Sequence, residues 1–277
     1  MLIVLGPPFE GTDAQYAELA AATGLLVYDL KTKLKPGAWG VVRALADERQ
    51  AAELADRLVA LGFRACVIDA MSGHDPERRI VTLKALELGS DELVLHLRER
   101  VIPVKYPALS TIVRGEVRVG RPAGRATGES SSAAMRAVAP TSADIAQFRE
   151  SVPSGSFDAF AAADLHFLTV LWVARIDARS FDFSALGMGS QSPAADLEQL
   201  VNLVAERANI RVDRSSRVSS VASFAARPAP MRSNSPVPGG PAPARPGAGA
   251  DERFDAYSRM VAEAERKTRH MRVGARA

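Results

Sequence analysis

The residue types that carry chemistry are few and widely spaced in this chain. The four histidines, His74, His96, His166 and His270, lie far apart, and none stands at a metal-ligand spacing with cysteine or carboxylate, so no zinc site is expected. Cys66 is the only cysteine, which rules out an intrachain disulfide. With Val67 and Ile68 after it, its thiol reads as a buried structural group and not a nucleophile. No P-loop, dinucleotide glycine fingerprint or nucleophile-elbow serine occurs, and Gly187-Met188-Gly189 reads as a strand-to-helix turn. One group remains for acid–base work: His166, Asp177 and Asp182 are close along the chain and could line a pocket. The plainer reading places them as solvent-facing polar residues on alternating strand positions. No catalytic residue, metal or cofactor is therefore expected, and an enzyme is the third choice of function.

The elements that would position any site are better marked. From Gly37 to Ala70 the chain reads strand, helix, strand. Asp47 and Gln50 have capping-box spacing, and Ala51, Leu54, Leu58 and Leu61 form one apolar stripe. Gly62 can take the left-handed conformation that ends a helix, with Phe63 folding back on the last turn. The strands Trp39 to Leu45 and Ala65 to Asp69 are joined by this crossover and are expected to run parallel, with Cys66 in a central strand. Upstream, Leu2 to Leu5 is a strand stopped by Gly6, Pro7 and Pro8. Thr12 and Gln15 then cap a helix with Tyr16 and Leu19 on its apolar face, and Gly24 stops it. A second short helix, Val27 to Leu34, is expected to turn Val27, Leu30 and Leu34 inward.

That βααβαβ order, with Thr23-Gly24-Leu25 opening the second helix, resembles the C-terminal domain of the bacterial ribosomal stalk protein and the N-degron adaptor of the Clp protease. In the stalk family a threonine-glycine-leucine leads into a lysine-bearing helix whose exposed side meets translation factors. The resemblance places Leu25, Val27, Tyr28 and Lys31 on a protein-binding face. Tyr28 departs from the pattern, standing where the family has a lysine, and Leu30 replaces a small residue.

Beyond residue 78 the pattern changes to strands. Leu83 to Leu88 and the alternation of Leu93, Leu95 and Leu97 flank the Gly89-Ser90-Asp91 turn as a hairpin. Val101 to Lys105, with Pro103 suited to an edge, and Thr111 to Val119 follow. Leu165 to Val170, Leu171 to Asp177 and Ser180 to Phe183 complete the strands. A helix then starts at Ser192 and Pro193 and buries Leu197, Leu200, Val201 and Val204. Strands closed by one helix resemble the pleckstrin-homology-like barrel in element order. The expected fold class is thus α+β: a stalk-like domain at 1–72, then a bent antiparallel sheet or barrel closed by a helix at 78–209. A flexible insertion is expected at about 120–160, with a short helix at Ser142 to Glu150; the same stretch reads equally as a domain boundary, with the later strands forming their own unit.

Arg211 to Ala250 is rich in Pro, Ala and Gly and carries six arginines against one acid, Asp213, although the whole chain has a formal net charge of only +3. Residues 210–250 read as a disordered linker, and 251–273 as an amphipathic helix with Phe254, Tyr257 and Val261 on its apolar stripe, which can dock back onto its own protein, pair with a partner or remain partly formed. Nothing resembles a secretory leader, and no apolar run approaches the roughly 18 to 20 residues of a membrane span, so the chain is expected to be cytoplasmic. The function expected is a non-catalytic adaptor whose protein partner meets Leu25, Val27, Tyr28 and Lys31, or Phe254, Tyr257 and Val261. The alternative is a nucleic-acid- or ribosome-associated protein acting through the basic tail.

Overall fold

The computed structural model describes residues 1–70, 79–120, 157–170, 172–189, 192–214 and 252–274. The insertion expected at about 120–160, the helix expected at 142–150 and nearly all of the linker at 210–250 lie outside these residues. Residues 1–117, 160–236 and 251–277 form one compact unit, and 118–159 with 237–250 a second. Only strand ends of the second unit fall among the described residues. Among those residues the protein is mixed α+β, with three sheets, none of them closed.

The N-terminal part follows the order β1 (Leu2–Gly6), α1 (Asp13–Thr23), α2 (Val27–Lys33), β2 (Gly40–Ala44), α3 (Glu48–Ala60), β3 (Arg64–Ile68). The starts of α1 and α3 are fixed by side chains. The Thr12 hydroxyl and the Gln15 side chain complete a capping box on α1, and the Asp47 carboxylate accepts from the Arg49 and Gln50 N–H groups. Gly62 has φ 87° just past α3, and the Phe63 N–H closes on the Leu58 carbonyl. The sheet order is β2-β1-β3, with β1 antiparallel to both neighbours. The two crossover strands are therefore parallel to each other, as expected. Cys66, however, lies in an edge strand and not a central one, because β1 inserts between them. On β1, Ile3 and Leu5 pack with Tyr16, Leu19, Leu58 and Phe63, while Leu2 and Val4 on the opposite face are also buried. Both faces of this sheet are thus covered. Gly6 is required by close approach: an added Cβ would stand 2.5 Å from the Trp39 ring.

The remaining strands make two sheets. One is a meander, β5 (Ala85–Leu88), β6 (Glu92–His96) and β7 (Val101–Lys105), paired as the expected hairpin and extended by an edge strand. The other has order β11-β8-β9-β10-β4, from β4 (Ile80–Thr82), β8 (Leu109–Gly120), β9 (Phe157–Phe167), β10 (Val173–Asp177) and β11 (Val212–Asp213). This sheet is open and mixed, since β4 runs parallel to β10 and β11 parallel to β8. The expected single antiparallel sheet or barrel is therefore replaced by two open sheets. They share one core with α4 (Pro193–Ala208), whose Leu197, Leu200, Val201 and Val204 are buried between them.

Ser180 to Phe183 is not a strand. The Ser180 and Phe181 N–H groups turn back onto the Asp177 carbonyl, and the Asp182 carboxylate holds both the N–H and the hydroxyl of Ser184 at the start of a short 3-10 helix. Pro103 sits on the free edge of the meander. The bonded pairs Leu97 with Arg100 and Tyr106 with Asp91 set a register in which its missing N–H faces away from β6.

At Gly62 a built Cβ meets nothing within 4 Å, so the cost of a side chain there is purely conformational. Gly62→Val should destabilise the protein by at least about 1 kcal/mol, read as a fall of a few degrees in the melting midpoint. An unchanged midpoint would remove Gly62 from its capping role.

Candidate interaction surface and the central helix

The last helix, α5 (Glu252–Gly274), decides which sequence-predicted site residues are available. The spacing of its apolar residues predicts one wet stripe and one charged face. Instead, no residue from Phe254 to Arg269 is exposed. Phe254, Tyr257 and Val261 are at most 1% exposed, so the structure removes all three from any surface. Of the outcomes the sequence leaves open, docking on its own protein is the one found; the receiving groups come from the N-terminal sheet and the five-stranded sheet, far away in the chain.

Towards the N-terminal sheet, the Glu265 carboxylate accepts two hydrogen bonds from Arg64, at 3.1 and 2.7 Å, and one from the Trp39 indole N–H at 3.1 Å. Arg64 also stacks over the Trp39 ring, 5.1 Å from its centroid. Lys267 donates to the Val67 carbonyl, and the Cys66 sulfur lies 4.0 Å from the Ala264 carbonyl oxygen. Burial pushes the Cys66 thiol up to about 12, in keeping with a structural group.

Towards the five-stranded sheet, the fork of Arg175 holds Asp164 with two bonds, at 2.7 and 2.8 Å, and Asp255 of α5 with a third at 2.6 Å. The Tyr257 hydroxyl lies 2.8 Å from the Asp213 carboxylate and 3.2 Å from the Trp39 carbonyl, where the two sheets and the helix meet. Ser258 is fully buried and donates to Asp164 Oδ2 at 2.7 Å, with His166 Nε2 2.7 Å from the same hydroxyl.

Serine, histidine and aspartate in contact invite a catalytic reading, and the hydrogen bonds exclude one for this arrangement. An ionised carboxylate only accepts, so the single hydroxyl proton of Ser258 is committed to Asp164. His166 Nε2 therefore carries a proton and donates to Ser258, the reverse of a base that activates a nucleophile. The neighbouring cavity measures about 10 Å3, room for one water. The other members of the sequence-predicted pocket are elsewhere: Asp177 is bonded to Arg179, and Asp182 to Ser184. A shallow groove of about 750 Å3 lies beside the β5–β6 turn, lined among others by Asp91, Glu92, Lys105 and Arg207.

The surface at the start of α2, in contrast, is presented to solvent. Gly24 ends α1 in the left-handed conformation, and the Thr23 hydroxyl accepts from the Leu25 N–H, turning the chain sharply into α2. Leu25 is half-buried against the N-terminal core, but Tyr28 is 75% exposed and Val27 37%. The inward orientation expected for Val27 fails because Leu30 and Leu34 already fill the core side of α2. The structure adds Leu26, 71% exposed, which sequence reasoning missed. Its signal was a leucine at the N-cap of α2, a position that favours Ser, Thr, Asp or Asn and here has no side-chain cap. Lys31 borders this patch and is ion-paired at 2.7 Å with Asp13, a contact that lowers the Asp13 pKa and raises that of Lys31.

Comparison of the chain with protein-family models, curated proteins and solved structures finds no match. Among the described residues, no group of three or more metal-ligating side chains converges and no helix is long and apolar enough to cross a membrane.

Two carboxylates share Arg175 with opposite consequences. Burial raises the Asp164 pKa, but the Arg175 charge and hydrogen bonds, with help from His166 and Ser258, outweigh it and leave it lowered. For Asp255, burial outweighs Arg175 and the pKa is raised. The stability Asp164 contributes is therefore present above its unfolded value near 3.9 and is lost as pH falls through the lowered folded value. That of Asp255 is present below the unfolded value and is lost as pH rises through the raised folded value. Asp164→Asn should cost about 3–5 kcal/mol at pH 7 by urea unfolding. Asp255→Asn, which keeps an acceptor for Arg175 without the buried charge, should stay within about 1 kcal/mol of wild type and flatten the decline in stability above pH 4. Equal losses in the two variants would overturn this division of roles.

Proposed function

We propose that this chain is a non-catalytic, cytoplasmic protein-interaction or adaptor protein, and that its partner docks on the turn and first residues of α2. The observation that carries the reading is the row Leu26, Val27 and Tyr28, three consecutive large apolar side chains at 71%, 37% and 75% exposure in a part of the fold whose other large apolar residues are mostly buried. Single exposed apolar residues are ordinary, whereas adjacent ones on a rigid turn mark a binding surface. Leu25 beneath them and the Lys31–Asp13 pair at their border supply an apolar floor and a charged rim.

The βααβαβ element order and the sheet order β2-β1-β3 support the likeness to the stalk-protein domain and the Clp adaptor, both of which act by holding other proteins. In this reading Leu26 and Tyr28 replace a lysine-dominated contact with an apolar one. Partner choice then differs from that of the ribosomal stalk.

Leu26→Ser with Tyr28→Ser should weaken capture of the partner at least tenfold while leaving the melting midpoint within about a degree of wild type, because neither side chain is part of the core. Capture through this surface should also change little between low and high salt, whereas binding to nucleic-acid phosphates through the arginine-rich tail falls steeply. Undiminished capture by the double variant would remove α2 from the interface. Loss of all binding in moderate salt would favour the nucleic-acid reading.

A further inference from the structure

The side chains that α5 buries differ in kind from those of α4. Helix α4 enters its core with Leu197, Leu200, Val201 and Val204, a face that any leucine-rich helix could imitate. Helix α5 brings Phe254, Tyr257 and Val261 together with Asp255, Ser258, Glu265 and Thr268. Each of these polar groups meets a specified partner: Asp255 with Arg175, Ser258 with Asp164 and His166, Glu265 with Arg64 and Trp39, Thr268 with Arg64. The two carboxylates stand ten residues apart, about 15 Å along the helix, and each fits its own guanidinium on a different sheet. This is a register code: a shift of one turn would take Glu265 away from Arg64 and Asp255 away from Arg175, which would then keep Asp164 as its one carboxylate.

We propose that the cleft between the two sheets is a helix receptor. It holds α5 by side-chain recognition and not by chain connectivity, and it therefore accepts α5 of a second copy of this chain in exchange for its own. Residues 215–250, between the last strand and α5, are rich in Pro, Gly and Ala, and they join the helix covalently to the cleft it fills. A tether of this kind gives its own helix an effective concentration on the order of millimolar, so the intact chain keeps its own α5 at ordinary concentrations. The exchanged form is exposed once the tether is cut.

The test uses the full-length protein with a specific protease site placed within 215–250 and cleaved after folding. The helix fragment should stay with the rest of the chain through gel filtration, and Cys66, the single cysteine and close under Ala264, should remain as slow to react with a thiol reagent as before the cut. When an affinity-tagged cleaved sample and an equal amount of a sample carrying a fluorescent label on its helix fragment are unfolded in urea and refolded together, about half of the labelled fragment should be captured on the tag. Labelled synthetic peptide of residues 251–277 should compete for the same place, and the peptide with Asp255→Arg and Glu265→Arg should compete at least a hundredfold less well. Release of the fragment on cleavage with rapid Cys66 labelling, absence of crossed capture after joint refolding, or equal competition by the two peptides would each overturn the proposal.

Discussion

A guanidinium buried between two carboxylates is costly to desolvate, and the Arg175 cluster is tolerable only because every member is bonded. Asp164 takes two of the fork's donors and the Ser258 hydroxyl, Asp255 takes a third, and the Phe254 ring lies 4.9 Å below the guanidinium carbon. Three elements supply these groups: β9 gives Asp164, β10 gives Arg175, and α5 gives the rest. Without β10 the two carboxylates would stand with no cation between them; without α5, Asp164 and Arg175 keep each other but lose Asp255, the Ser258 hydroxyl and the Phe254 ring. The position of α5 is thereby set far more narrowly than apolar packing alone would set it.

The other contacts of the helix build out from that anchor. With Asp255 and Ser258 fixed on the five-stranded sheet, the next turns bring Tyr257 to Asp213 and Trp39, and the turns after those bring Glu265 and Thr268 to Arg64. The second face of the N-terminal sheet then has its cover. A three-stranded sheet exposing Val4 and Cys66 on one side would be a marginal unit by itself, since so small a core removes little surface from water. With α1 to α3 on one face and α5 on the other, all five residues of β1 are buried.

How much of this could be read from the sequence depended on distance along the chain. Caps and turns are local chemistry, and Thr12, Gln15, Asp47, Gly62 and Ser192 stood where their side chains or backbone freedom required. The stripes of α3 and α4 were also legible, because each helix has one apolar side and one wet side, although Leu61 at the end of the α3 stripe is 46% exposed. In α5 the charged residues face protein as well, so the pattern gave the stripe of Phe254, Tyr257 and Val261 but not what covers it. The two open sheets were hidden for a related reason, since nothing local tells β4 that it will lie parallel to β10 or tells β11 that it will join β8. The exposed α2 surface was half legible: Tyr28 and Lys31 were expected there from the resemblance carried by Thr23-Gly24-Leu25, whereas Leu26 required knowing that it caps the helix.

Pro103 has a consequence beyond its own strand. The free edge of a sheet offers a ladder of donors and acceptors to any extended peptide, including a second copy of the same strand in a crowded cell. Along β7 the middle rung of donors is missing, with Val101 and Lys105 left on either side of the gap. A strand that tried to add itself there would have to leave one carbonyl unmatched at its centre. The edge is thus poorly suited to templating a fourth strand, and this flank of the meander is protected from growing into an intermolecular ribbon.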